Sequence, residues 1–257
     1  MSTYDAIIPA GGTIDPEFAA KAGIDQKALI VFNGETMLET ILRALKDSGV
    51  IRNTVVIGSA EVQEKAKGLA TYTLDQGSSG PDNIYRGLDK LRESGSAMDK
   101  VLIVTCDLPF LTGDIVKRFI EACPADKDVC IPIIHKEDFE RSYPGTDSTF
   151  VALKDGIYTL GGMFMMNAVK LPEIRPAIQK VFDQRKSKIG MAKMLGPAFV
   201  LKWLTKSLTI PDLERKIVAM LGCTGKAVVG APVELSYDID YLDDYDYAVK
   251  LVEAAKK

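Results

Sequence analysis

The sequence predicts an α/β fold: a mostly parallel sheet covered by helices on both faces. Two observations carry that expectation. Short β-rich apolar runs alternate along the chain with segments of helical period, and each helical segment shows one apolar stripe to bury against a sheet. The 257 residues would suit one large domain or two small ones, and no Gly/Ser/Pro linker, low-complexity tract or internal repeat divides them.

Strands are expected at 4–9, 53–58, 100–106, 128–134, 160–166 and 226–229. Helices are expected between them. The segment 36–48 carries apolar residues at 37, 38, 41, 42 and 45 and ends at Gly49. Segments 82–94, 112–123, 172–184, 211–221 and 243–256 behave similarly, with Pro211, Asp212 and Glu214 suited to the first turn of theirs. The reading is one domain over 1–257 with a less regular insertion at about 136–200. That insertion holds the basic stretch Arg185-Lys186-Ser187-Lys188, either a solvated helix end or a contact for an anion.

Composition excludes several function classes. With 32 Lys+Arg against 35 Asp+Glu and a net charge of −3, no basic excess exists to coat a nucleic acid. No apolar run reaches about 18 residues and the start lacks a secretory pattern, so no membrane partner and a cytoplasmic location are expected. Cys106, Cys123, Cys130 and Cys223 form no C-x-x-C and have only His135 as a possible co-ligand, so they read as reduced, mostly buried thiols. The lone His135 follows the apolar run 129–134 and reads as a strand-end residue. Carboxylates, lysines, backbone amides or a metal must then carry any chemistry.

After the strand Ala6-Ile7-Ile8 comes Pro9-Ala10-Gly11-Gly12-Thr13, then Lys27-Ala28-Leu29-Ile30-Val31. Adjacent glycines at the C-terminal end of a strand let backbone N–H groups face a concavity that suits phosphate oxygens. The pattern is neither G-x-G-x-x-G nor G-x-x-x-x-G-K-[ST]. Further on, Val101-Leu102-Ile103-Val104-Thr105-Cys106-Asp107-Leu108-Pro109 delivers Asp107 to the same sheet edge, where one carboxylate can hold a divalent cation or cap the next helix. Near the C-terminus, alternation across Asp238-Ile239-Asp240 puts both aspartates on one strand face, and Asp243, Asp244 and Asp246 read as solvated charges at a helix start.

Together these motifs resemble the MobA-like nucleotidyltransferases, enzymes of a GT-A-like fold. The resemblance implies a three-layer, Rossmann-like mixed sheet and a Mg²⁺-dependent transfer of an NMP from an NTP to a small phosphorylated acceptor, with release of pyrophosphate. It assigns Ala10, Gly11, Gly12, Thr13 and Lys27 to the triphosphate, and Asp107 and Asp240 to Mg²⁺ with Asp238 as the fallback; Lys27 and Asp107 carry the catalysis. Gly77, Ser79, Gly80 and Asn83, in a Gly/Ser loop entering a helix, fall where relatives read the nucleobase. Gly161, Gly162, Asn167, Arg185 and Lys188 are candidates for the acceptor phosphate, and a hairpin turning at Asp155-Gly156 precedes that second Gly-Gly. One departure stands out: the family loop usually reads Gly-x-Gly-Thr-Arg, whereas here Thr13 is followed by Ile14-Asp15, leaving Lys21 as a substitute cation or triphosphate binding weaker. A non-catalytic nucleotide-binding protein of the same fold is the alternative, and no oligomeric state is implied.

Overall fold

The structure, a computed structural model, describes residues 3–96, 99–184 and 187–255. Among them, nine strands form one sheet: β1 (Tyr4–Pro9), β4 (Ile51–Gly58), β5 (Tyr72–Asp75), β6 (Lys100–Val104), β7 (Val129–His135), β8 (Val151–Leu153), β9 (Gly156–Leu160), β10 (Met163–Asn167) and β11 (Gly225–Val229). The short strands β2 (Val31–Phe32) and β3 (Glu35–Thr36) make a separate hairpin. The main order is β5-β4-β1-β6-β10-β7-β9-β8, with β11 beside β7. The pairings make β9 and β10 antiparallel to the other strands, so the sheet is mixed and mostly parallel, as expected.

Alternate residues of the central strands feed two cores. Ala6, Ile8, Val56, Leu102 and Val104 face one layer, formed with α2 (Met37–Asp47), α3 (Ala60–Ala66), α5 (Gly113–Ala122) and α11 (Leu242–Ala255). Ile7, Val55, Ile57, Val101 and Ile103 face the other, with α4 (Gly80–Glu93) and α7 (Leu171–Gln184). Both faces of the strands are therefore covered, which is why they read as unbroken apolar runs. Helix starts follow local chemistry. Thr36 and Glu39 form a reciprocal capping box at α2, and Thr112 and Ser79 cap α5 and α4.

Three differences from expectation have physical causes. The expected strand 160–166 is two strands, β9 and β10, because the chain steps aside at Gly161-Gly162: Gly161 N–H donates to Pro132 O while Gly162 N–H turns to Leu235 O. The stretch 136–200 supplies β10, which lies in the middle of the sheet between β6 and β7, so that part of it is integral to the core. Finally, α1 (Pro16–Ala22), α6 (Lys136–Ser142), α8 (Lys188–Leu195) and α9 (Pro197–Leu204) appear where no element was expected, as do α3 and β5. Helices α1 and α6 are only seven residues long, and α9 is eight with Lys202 its one polar residue, so a helical period had too few positions or too little contrast to stand out.

Candidate active site

The glycine loop and Lys27 are joined by the backbone. Thr13 and Gln26 form an antiparallel bridge, Ile14 N–H donates to Asp25 O at 2.9 Å, and Lys27 N–H donates to Gly12 O at 3.0 Å. That zipper puts the lysine beside the loop although it lies 15 positions after Gly12 in the chain, with its methylenes 3.6 Å from where a Gly12 Cβ would be. Ala10 is held to the neighbouring strand by its N–H to Ile57 O, 2.8 Å.

The second Gly/Ser loop closes against the first. Gly77 N–H donates to Asn83 Oδ1 at 2.6 Å, Ser78 N–H donates to Asp82 Oδ2 at 2.9 Å, and Ser79 caps α4. A Cβ on Gly11 would sit 2.8 Å from Gln76 Oε1 and 3.3 Å from Asn83 Nδ2, so the two loops touch there. Gly77 needs to lack a side chain, since its Cβ would fall 2.0 Å from Asp82 Oδ2. Gly80 stacks beneath the Phe182 ring, 3.2 Å from its would-be Cβ.

Three carboxylates converge at the C-terminal edge of the sheet. Asp107, Asp238 and Asp240 each offer an oxygen, all within 4.8 Å of one another. The Lys27 ammonium donates to Asp107 Oδ2 at 3.0 Å and to Asp240 Oδ1. The segment carrying Asp238 and Asp240 is held to the Asp107 loop by Ile239 N–H donating to Asp107 O, 3.1 Å, with the Ile239 side chain fully buried. The segment is no strand, contrary to expectation, yet the buried Ile239 still turns its two neighbours the same way. Asp238 is accessible at its surface but sits in a recess; burial first, and then the Asp107 charge, push its carboxyl up to about 6, against the pull of Lys27.

Beyond Asp238 and Asp240 opens a cavity of about 680 Å³. Ser148, Thr149, Thr159 and Ser236 offer hydroxyls there, Tyr158, Tyr237 and Tyr241 line it as aromatics, and Ile133, Leu153 and Leu213 are apolar. Among the described residues no lysine or arginine lines it. The glycine loop, Lys27, the carboxylates and the polar, aromatic chamber therefore adjoin one another in that order, and together they are termed the groove.

Residues 6–195 match the MobA-like NTP transferase domain. The chain belongs to that family. It is 27% identical over 133 residues to a probable molybdenum cofactor guanylyltransferase of Clostridium perfringens, covering 51% of this chain and 60% of that one. It is 29% identical over 126 residues to a molybdenum cofactor guanylyltransferase of a Shewanella strain, 49% of this chain and 60% of that one. The matches thus span about three fifths of either curated relative. A solved structure of a hypothetical transferase from Thermus thermophilus superposes with a TM-score of 0.82 at 26% identity, over 95% of this chain and 99% of that one.

In this MobA-like chain the acceptor candidates fare unevenly. Gly161 and Gly162 lie near the carboxylates but are packed shut: a Cβ on Gly161 would meet Leu235 O at 2.9 Å, and one on Gly162 would meet Thr105 Oγ1 at 2.3 Å. Lacking side chains, both let the strands come close to the loops bearing the aspartates. Asn167 does not reach the groove. It pairs with Lys100 at the start of β6, the opposite sheet edge, where its amide donates to Asp128 Oδ1 and its oxygen accepts from Val169 and Lys170 N–H. Arg185 lies outside the described residues, as does the side chain of Lys188. Lys21, the substitute for the absent loop arginine, is exposed and pairs with Asp246 at 3.8 Å.

Sequence reasoning missed three supporting residues. Asp244, read as a solvated charge, accepts from Asp240 N–H at 3.1 Å and Tyr241 N–H at 2.8 Å, and burial raises its carboxyl. Tyr237 O–H donates to Asp244 O at 2.7 Å, bracing the same turn. The Asp four residues after Asp240, at a helix start, was the available signal. Thr105 Oγ1 is buried and, among the described residues, has no hydrogen-bond partner; nothing in the sequence marked it.

Proposed function

We propose that this protein is a Mg²⁺-dependent nucleotidyltransferase that moves an NMP from an NTP to a small phosphorylated acceptor and releases pyrophosphate. One observation carries the reading: Lys27, anchored to the glycine loop, meets Asp107, Asp238 and Asp240 at the mouth of a chamber large enough for a second substrate. Hard carboxylate oxygens, clustered within 4.8 Å, are the donors such an ion takes, so the residues fit it. When bound, the ion would neutralise charge on the phosphate that is attacked. Asp107 and Asp240, with Asp238, would hold it.

The remaining work falls to the chain. Loop 10–13 receives the triphosphate through its backbone, and Lys27 balances phosphate charge beside it. The loop at 77–83 borders the same groove and takes the base; the guanylyl specificity in the names of the curated relatives makes GTP the first nucleotide to test. The acceptor body rests on the tyrosines and hydroxyls of the chamber, with its phosphate at the aspartate end, since no cation lines the chamber among the described residues. Two anions aligned in a fixed groove supply most of the rate enhancement in such a reaction. The test is pyrophosphate release with GTP, CTP, ATP or UTP plus Mg²⁺ across a panel of phosphorylated acceptors. Release with one NTP and one acceptor class supports the proposal; NTP binding without release with any acceptor favours the non-catalytic alternative.

A further inference from the structure

Charge and apolar surface are segregated in one part of the molecule that the groove does not use. Between Asp183 and Asp212 the sequence has no acidic residue and six basic ones, Arg185, Lys186, Lys188, Lys193, Lys202 and Lys206, leaving −9 for the rest of a chain whose net charge is −3. The same stretch folds into α8 and α9, which pack on each other.

Helix α9 is turned inside out relative to an ordinary surface helix. Its stripe at positions 197, 200, 201 and 204, one face at i, i+3, i+4 and i+7, is Pro, Val, Leu and Leu. Leu201 is 62% exposed and Leu204 65%, and the adjoining Trp203 is 54% exposed. Its anchoring side is the polar or aromatic remainder: Phe199 packs against the cluster of Ile133, Leu153, Tyr158, Leu208, Ile210 and Ala227, and Lys202 Nζ donates to Asp212 Oδ1 at 2.7 Å. On α8, Ile189 is also 71% exposed. Among the described residues Lys193 and Lys206 have no carboxylate partner.

We infer that α8 and α9 dock this protein on an anionic lipid surface. Exposed leucines and a tryptophan beside Lys193 and Lys206, with every acid excluded from 28 consecutive positions (184–211), match the chemistry of a helix lying in a bilayer interface. The charge argues against a second copy of this chain as the occupant, since two such faces would bring like charges together. No described helix is long and apolar enough to cross a membrane. The sequence expectation of no membrane partner rested on that criterion, which does not bear on a helix lying flat. Phe199 packs against a cluster of which Ile133, Leu153 and Tyr158 also line the chamber, so the docked face adjoins the acceptor side.

The chain's single tryptophan, Trp203, lies in this face and reports on it directly. The full-length protein is mixed, without nucleotide, with vesicles of phosphatidylcholine containing about 30% phosphatidylglycerol, and with vesicles of phosphatidylcholine alone. The expected result is co-flotation and a blue shift of Trp203 emission with the anionic vesicles only, reversed by salt. The double variant Leu201→Glu/Leu204→Glu should lose binding about tenfold or more. Lys193→Gln/Lys206→Gln, at exposed positions that leave the fold intact, should weaken it and flatten its salt dependence. Absence of flotation by the unaltered protein overturns the inference, as does binding by the lysine variant equal to that of the parent. A concentration-dependent blue shift with dimer formation in vesicle-free buffer would also overturn it, by assigning the face to self-association.

Discussion

Replacing Gly162 by alanine isolates how tightly the sheet holds the aspartate loops. Gly162 is absent from the positive-φ glycines, so the backbone accepts alanine without strain and the effect is steric. The added Cβ would lie 2.3 Å from Thr105 Oγ1 and 3.1 Å from Leu108 Cδ2; the Thr105 backbone is tied to this point by its N–H donating to Gly162 O at 2.9 Å, and Leu108 is fully buried. Overpacking of this kind costs about 1–3 kcal/mol. Thr105 stands two residues before Asp107, so part of that cost should appear as a displaced carboxylate and slower turnover. Thr105→Ala removes a buried hydroxyl that has no partner, whose burial costs about 1–3 kcal/mol, and loses a methyl in exchange, so alone it should be nearly neutral. The double variant should then regain most of the stability lost by Gly162→Ala, whereas Thr105→Val/Gly162→Ala, which keeps a methyl in the way, should not. Urea midpoints at unchanged slope measure the cycle. Equal stability of Gly162→Ala and the parent, or equal rescue by alanine and valine at 105, would refute the reasoning.

At the other end of β1, Asp5 is fully buried and accepts from Arg52 Nη2 and Ser96 Oγ, each at 2.7 Å. Burial alone would raise its carboxyl, but the hydrogen bonds from Arg52 and Ser96 win and hold it below the usual carboxylate range. A lowered folded value means that its stabilisation is complete above about pH 5 and is lost as pH falls from about 4 through that value. Asp5→Asn should cost about 3 kcal/mol at pH 7 and, by thermal unfolding, shrink the loss of stability as pH falls below about 5. Asn83→Ala removes the acceptor for Gly77 N–H, held at 2.6 Å. It should destabilise the chain by about 1 kcal/mol and raise the KM for NTP about tenfold with little change in kcat, as steady-state kinetics would show.

The groove was legible where chemistry coincides with strand ends. Ala6-Ile7-Ile8 and Val101–Val104 are buried runs whose next polar groups must emerge at the edge of the sheet, so the glycine loop and Asp107 could be placed from sequence. Lys27 was assigned from resemblance, since a contact between loops, the Thr13–Gln26 bridge and the backbone hydrogen bonds beside it, is what brings it to Gly12. Asn167 went wrong because β10 is antiparallel to β6: its C-terminal residue faces away from the edge where the C-terminal residues of the parallel strands gather. The second Gly-Gly was read as a candidate for the acceptor phosphate; glycine also serves where backbones crowd, as they do here, and a single sequence does not separate the two uses. Helix α9 was missed because it is only eight residues long and apolar nearly all round, with Lys202 its one polar residue, so periodicity has little contrast to detect.

The central claim is that the carboxylates meeting Lys27 form the centre of nucleotidyl transfer, and Asp107→Asn tests it most directly. Asn is nearly isosteric at a site already part-exposed through the groove, so the thermal unfolding midpoint should stay close to that of the parent. With the NTP and acceptor that support pyrophosphate release, and with Mg²⁺ saturating for the parent, release should fall by about a hundredfold or more. A folded Asp107→Asn variant that releases pyrophosphate at the parent's rate would contradict the account.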